Sequence, residues 1–409
     1  MFSLEAFYKI VSKNLIEPLN FTSFYFSKFG STTCHDLDEV YHNKNEGSRF
    51  LFFWDQEPVS TATYMQLCEP LPVDSTKQWT SLWMIHTRNY ACPDIYFNRV
   101  LRISANSEHS QEKNDILKAY DFQDWYYFFH GFAALDWYRN IQYLPPIDQF
   151  DKVFITFNNL ITDKRSYRLD LVARLIDKKC HERGYISLGL QNRVENIKSE
   201  LLNSFSRLTV ESKKIITKHL IPNKHQLIID TENFHGALSA NDDLDVLSKG
   251  LWHLVTETVY YDDKIHLTEK IFKPIVARRP FILVSAPGNL AYLKSYGFKT
   301  FDRWIDESYD NETDPGLRII KIVNEVEKLC QLTDAELNQM YKDMQEILDY
   351  NFQWFYGGFK KLIIDELVDN FKRLLIAWNA GKDITFPAYV DYSMINFEQV
   401  KLRLAGNSS

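Results

Sequence analysis

The chain has 409 residues, 45% hydrophobic and 25% charged, which suits two globular domains of ordinary size or one large one. Its formal net charge of −7 argues against non-specific nucleic-acid binding as the main activity, since phosphate neutralisation needs clustered Lys and Arg. With 14 Gly and neither GxGxxG nor GxxxxGK[ST], a glycine-rich phosphate loop is not expected.

The first residues, MFSLEAFYKIVSKNLI, alternate polar with apolar side chains and carry Glu5, so no signal peptide is expected. Residues 49–54 (RFLFFW) read as a buried strand that ends in the polar turn Asp55-Gln56-Glu57-Pro58. Residues 100–105 (VLRISA) read as another, followed by Asn106-Ser107-Glu108-His109 and a helix over 110–120. Strands that end in polar loops and lead into helices form the α/β pattern, whose ligands bind at the carboxyl ends of strands. Pro145-Pro146 breaks the pattern, and a domain boundary is placed after residue 147.

A second βα series follows at once. Residues 152–157 (KVFITF) predict a strand, 158–166 a polar loop, and 167–183 a helix capped by Gly184. Further strands are expected over 185–188, 226–230, 254–260, 281–285 and 298–301, with a helix over 290–296. Thr333-Asp334-Ala335-Glu336 is a capping box for a helix reaching about residue 348. A last long helix, about 359–378, follows Gly357-Gly358. The expected organisation is an N-terminal α/β domain over 1–147, a second over 148–350 and a helical section over 351–409.

Several polar groups in this frame suggest chemistry. Thr268 is a good N-cap and Glu269 complements a helix dipole, which is a sufficient structural account of both. Lys270 is the anomaly, since a cation in a first turn costs a few tenths of a kcal/mol (~0.3) unless an anion sits nearby. Pro274 lies six residues after Thr268, which predicts a kinked helix from Thr268 onward; the alternative is a helix starting near Phe272. The loop after the 152–157 strand holds Lys164, Arg165 and Arg168, and Arg grips phosphate bidentately; a solvated loop is the plain alternative. Asp55 and Glu57 beside an apolar strand suit a general base with a raised pKa, or less well a metal pair, against a simple polar turn. Asn106 or Ser107 serves equally well as a helix cap, His130 reads as structural and Asp262-Asp263 as a solvated turn. The five cysteines, Cys34, Cys68, Cys92, Cys180 and Cys330, lie far apart with no zinc spacing, as expected of reduced thiols in a cytoplasmic protein. No apolar run approaches a membrane span.

The stretch TEKIFKPI (268–275) and the following YLKSYGFKTF (292–301) resemble the donor-site signature of α1,3-fucosyltransferase-type glycosyltransferases. They resemble more closely a set of phage and large-virus glycosyltransferase-like proteins, and the likeness is specific over about residues 250–301. The resemblance implies a GT-B fold: two Rossmann-like domains facing across a cleft, with no cofactor and no essential metal. It implies that Glu269 holds the donor ribose, that Lys270 and Arg168 hold the pyrophosphate, and that Glu57 is the base; from the residues themselves, Asp55 is the alternative base and Arg165 a further donor-binding candidate. The family's Phe-Glu-Asn-Ser segment is replaced by Val255-Thr256-Glu257-Thr258, where Glu257 alone is retained. The donor is therefore expected to be a nucleotide sugar, UDP- or GDP-linked, with the sugar open. The acceptor is a hydroxyl on a glycan or a modified nucleobase, and transfer is expected to invert the anomeric centre. Two alternatives stand beside this: a DNA-modifying glycosyltransferase acting on hydroxymethylated bases, which the net charge does not support, and an inactive nucleotide-sugar-binding scaffold.

Overall fold

A computed structural model describes residues 10–11, 13–14, 22–26, 49–53, 58, 100–119, 122–188, 199–220, 243–381 and 396–406. The protein is α/β, with two parallel sheets. The chain forms two compact units, Met1–Asp136 with Lys360–Ser409, and Trp137–Phe359.

In the first unit, β1 (Thr22–Phe26), β2 (Arg49–Phe53), β3 (Val100–Ser104) and β4 (Phe122–Asp124) lie side by side in sequence order. Helix α1 (Gln111–Ala119) follows β3, and α2 (Phe129–Trp137) follows β4. The aromatic run 125–128 belongs to neither strand nor helix, so its polar groups need other partners. The long C-terminal helix of this unit supplies them. Trp125 Nε1 donates to Leu367 O (3.1 Å), Phe128 N–H to Glu366 Oε1 (2.9 Å), and Asn370 Nδ2 to Tyr126 O (2.9 Å). Trp125 also packs on Phe371, with ring centroids 4.6 Å apart.

The second unit is built on β5 (Lys152–Asn158), β6 (Gly184–Leu188), β7 (Gly250–Thr256) and β8 (Phe281–Val284), in the spatial order β6-β5-β7-β8. Strands β7 and β8 are buried throughout, as expected of parallel strands covered on both faces. The helices are α3 (Tyr167–Asp177), α4 (Ser199–Ser204), α5 (Val210–His219), α6 (Leu244–Ser248), α7 (Phe272–Val276), α8 (Asn289–Ser295), α9 (Pro315–Gln331) and α10 (Asp334–Trp354). Helix α3 is held to α5 through Asp170, which pairs with Arg174 (2.9 Å) and accepts from Ser212 Oγ (2.7 Å). The capping box at Thr333 and Glu336 forms as expected, and α10 runs on to Trp354. A π-helical turn (Phe355–Phe359) follows, then α11 (Lys360–Gly381); α12 (Phe397–Gly406) is the last element. None of the described helices is long and apolar enough to cross a membrane.

Three sequence expectations change. Gly184 does not cap the α-helix: α3 ends at Asp177, Lys179 takes the left-handed backbone (φ 57°), and Gly184 closes the 3-10 turn Cys180–Arg183 in extended conformation and opens β6. Glycine is required there because a Cβ would lie 2.1 Å from the Phe154 ring across the β5–β6 pair. Residues 298–301 are not a strand. The polar groups of Lys299 are satisfied by the side chain of Asn351, which accepts from its N–H and donates to its carbonyl, both at 2.9 Å. The strand expected over 254–260 runs from Gly250 and stops at Thr256. The strand expected over 226–230 lies outside the described residues.

Gly184→Ala should destabilise the protein by about 1–3 kcal/mol through overpacking against Phe154. A urea midpoint for Gly184→Ala equal to the wild type would contradict this. The double variant with Phe154→Leu should recover part of the loss.

Candidate functional site

The order β6-β5-β7-β8 reverses direction between β5 and β7. In an open parallel sheet that reversal leaves a crevice at the carboxyl ends of the two strands, the usual position of ligands in such folds. Here the strands end at Asn158 and Thr256. Their last turns of pleat are laced together by threonines: Thr156 Oγ1 donates to Leu254 O and Thr256 Oγ1 to Phe157 O, each at 3.0 Å. Asn158 Nδ2 reaches Thr156 Oγ1 (3.2 Å), whereas its buried Oδ1 has no hydrogen-bond partner among the described residues.

Where the chain leaves β7, Glu257 N–H still bonds Val284 O of β8 (3.1 Å), and the side chain turns into a fully buried position. Its carbonyl accepts from Tyr167 OH (2.5 Å) and from Arg168 Nη2 (3.2 Å). Arg168 also donates to Thr256 O (3.3 Å), Leu160 O (3.0 Å) and, through Nε, Tyr167 OH (3.5 Å). Its guanidinium therefore ties the loop after β5 to the end of β7. It is 4% exposed and forms no ion pair among the described residues. Arg279 and Arg318 are used in the same way elsewhere in this unit. Arg279 binds the carbonyls of Ile147, Gln149 and Ser248, and Arg318 those of Glu312 and Tyr260. A buried Arg held by main-chain carbonyls is thus a recurring structural device here, and Arg168 needs no ligand to account for it.

The Glu257 carboxylate accepts twice from Thr268, from its N–H (3.3 Å) and from its Oγ1 (2.5 Å). Burial pushes the Glu257 pKa up, against the pull of the Lys270 charge and the Thr268 hydroxyl. Thr268 Oγ1 accepts in turn from Lys270 Nζ (3.0 Å) and Lys270 N–H (3.4 Å). The ammonium also pairs with Glu269 Oε1 at 3.1 Å. Glu269 is buried, and Lys270 has the most exposed side chain of the triplet, at 28%. Two of its three N–H groups are engaged within the protein, so one remains for solvent or a ligand.

The expected kinked helix from Thr268 is replaced by a tighter arrangement. Thr268 caps a 3-10 turn (Glu269–Ile271), and α7 begins at Phe272. Pro274 is then the third residue of α7, where no intrahelical N–H bond is required, so it introduces no kink. Five helical residues carry little dipole, and any anion affinity here comes from the Lys270 charge. Phe272 anchors the turn from behind, packed at 5.0 Å on Phe355 and 5.3 Å on Phe359. The next helix start is already filled. Asp310 accepts from Leu290 and Ala291 N–H, both at 3.0 Å, so an internal carboxylate occupies the anion position after the Pro287-Gly288 turn.

Among the other sequence candidates, Arg165 closes a half-buried 3-10 turn (Asp163–Arg165) on the loop after β5. Asp262 pairs with Arg207 at 2.8 Å. Asp55 and Glu57 lie outside the described residues. After β3, the hydroxyl that caps α1 belongs to Ser110, which accepts from Lys113 N–H (3.0 Å), and not to Asn106 or Ser107. Glu108 is buried and accepts from Ser110 Oγ. His130 is buried in α2 against Phe129.

No protein-family model, curated protein or solved structure matches the chain. What the site can do must therefore be read from its groups. Arg168, Glu257, Thr268, Glu269 and Lys270 come together at the switch point, as one ammonium braced by a buried chain of donors and acceptors. Sequence reading missed Tyr167, Asn158 and Asp310. Asn158 had a faint signal, a polar residue closing an apolar strand; the other two act across long sequence separations.

Glu257→Ala should cost about 1–3 kcal/mol, because both Thr268 donors lose their acceptor. The pH dependence has a definite sign. A folded-state pKa raised above the unfolded value contributes stability that is present below the unfolded pKa and lost as pH rises through the folded one. Wild type should therefore gain stability relative to Glu257→Gln on going from about pH 7 to about pH 4. Denaturant midpoints across that range would show a constant gap if the carboxyl were not desolvated.

Proposed function

We propose that the protein is a GT-B glycosyltransferase that moves a sugar from a nucleotide-sugar donor to a hydroxyl acceptor, with inversion and without an essential metal. One observation carries the reading: the Thr268-Glu269-Lys270 turn sits just outside the carboxyl end of β7, where the strand order reverses. The likeness of residues 268–275 and 292–301 to the glycosyltransferase signature is independent of that placement, and the two agree.

In this reading Lys270 meets the donor diphosphate with its remaining N–H and neutralises charge as the diphosphate leaves. Arg165 approaches the same phosphates from the loop after β5. Glu269 is oriented by Lys270 toward the donor ribose. Arg168 and Glu257 act through others: they hold the exit of β7 and the Thr268 hydroxyl, and so aim the ammonium. The acceptor hydroxyl is deprotonated by Glu57 or Asp55. A viral or phage protein working in the host cytoplasm fits the likeness of the signature.

Nucleotide sugars linked to UDP, GDP, CMP and dTDP can be compared by thermal shift, since a ligand of the native state raises the apparent midpoint. One nucleotide class is expected to raise it. Lys270→Ala should weaken that ligand about ten- to a hundredfold, the worth of a charge-assisted hydrogen bond, while the free protein melts normally. No shift with any class, or unchanged affinity in Lys270→Ala, would refute the donor site.

A further inference from the structure

Cys180 opens the 3-10 turn (Cys180–Arg183) that leads from α3 into β6, and Cys330 lies in the last turn of α9. Both are free thiols. Although far apart in sequence, they meet in the fold: Cys330 Sγ donates to Cys180 O (4.0 Å), and Cys180 Sγ donates to Lys178 O (3.8 Å). The contact is bracketed on both sides. Arg183 Nη1 donates to Cys330 O (2.9 Å) and to Leu332 O, which fastens the end of α9 onto the turn that carries Cys180. Lys178 Nζ pairs with Glu327 at 2.9 Å, one helical turn before Cys330. Burial as a small apolar side chain explains Cys180, which is 1% exposed. It does not explain a second thiol held against it by a guanidinium and an ion pair.

We propose that Cys180 and Cys330 form a reversible dithiol site whose reactant is a low-molecular-weight disulfide such as oxidised glutathione. The neighbouring Cys330 side chain, and more weakly the Lys178 ammonium, pull the Cys180 thiol down against burial and the Glu327 charge, while Cys180 first and burial second push the Cys330 thiol up. The half-buried Cys330 is the sulfur that an outside reagent meets first. Movement of the Cys330 proton to Cys180, the first proton of the pair having gone to solvent, places the charge on Cys330 Sγ, which attacks one sulfur of the reagent and expels a thiolate. Cys180 then gives up its proton and attacks the Cys330 sulfur of the mixed disulfide, expelling the second thiolate. Two protein thiols are oxidised to one disulfide and the reagent is reduced to two thiols: one takes the proton that Cys180 gives up, the other the proton that the pair first released to solvent. The product links the start of β6 to the end of α9. Because the native fold already holds the Cys330 sulfur against Cys180, the link acts on the unfolded chain and raises stability. The site shares no residue with the Lys270 cluster and does not depend on the proposed transfer reaction.

The test treats the full chain with graded mixtures of oxidised and reduced glutathione, then maps peptides without reduction by mass spectrometry. The expected product joins the Cys180 and Cys330 peptides with loss of two hydrogens and is reversed by reductant. With it, the melting midpoint of the wild type should rise by several degrees. Cys330→Ser should show neither change. Glutathione retained as a stable adduct on Cys330, bridges to Cys34, Cys68 or Cys92 in its place, or no reaction would each overturn the proposal. Peptide mapping of the wild type decides the matter even if Cys330→Ser fails to fold.

Discussion

The exit of the chain from β7 is the constraint on which the candidate site depends. A strand buried on both faces must hand its last polar groups to something when the ladder ends. At Glu257 the handover is complete: the N–H goes to β8, the carbonyl to Tyr167 and Arg168, and the carboxylate to Thr268. A buried carboxylate with two donors then fixes the next turn of chain, eleven residues on. The position of Lys270 is a consequence. Its ammonium sits where the Thr268 oxygen and the Glu269 carboxylate allow, and the aromatic packing of Phe272 keeps the turn from rotating.

Charge in this unit is largely satisfied from within. Three guanidiniums, Arg168, Arg279 and Arg318, are buried on main-chain carbonyls, where each can use several planar donors at once. Asp310 fills the helix start that follows the Pro287-Gly288 turn, accepting from the N–H groups of Leu290 and Ala291. The consequence for function is a narrow one. Among the described residues most polar groups at the end of β7 form a rigid support, and Lys270 is a group there that keeps spare donor capacity. If the proposed donor site is right, a support of that kind holds the Lys270 charge in place before a ligand arrives, which is the arrangement that electrostatic stabilisation requires.

Much of this fold was legible because its strands are short apolar runs and its helix starts are polar. RFLFF, VLRIS, KVFITF and FILV are strands within a residue or so of their expected bounds. The Thr333 capping box depends on neighbours three residues apart, so local sequence sufficed. Failures came where a partner distant in sequence replaced a local rule. Gly184 looked like a cap, yet its reason is the Phe154 ring across the sheet. Residues 298–301 looked like a strand, yet Asn351 takes the place of a strand neighbour. The cysteines looked isolated because their spacing in sequence says nothing about the meeting of Cys180 with Cys330.

Lys270 shows how the same residue changes meaning between the two levels. As the second residue of a long helix it would oppose a dipole, and an external anion would be the natural remedy. The 3-10 turn and the five-residue α7 remove most of that dipole, and Glu269 already supplies a counter-charge. The ammonium is therefore stable in the free protein, and its presence does not by itself demand phosphate. The stronger argument lies in the support. Pairing Lys270 with Glu269 alone would need only one carboxylate on a surface turn. The fold instead commits a second, fully buried carboxylate, Glu257, to holding the Thr268 oxygen against that ammonium. Burying Glu257 works against its own ionisation, a cost that a simple surface ion pair would not require. On the proposed reading, that extra investment in aiming one lysine, at the reversal of the strand order, is what a preorganised binding group would call for and a capped surface turn would not.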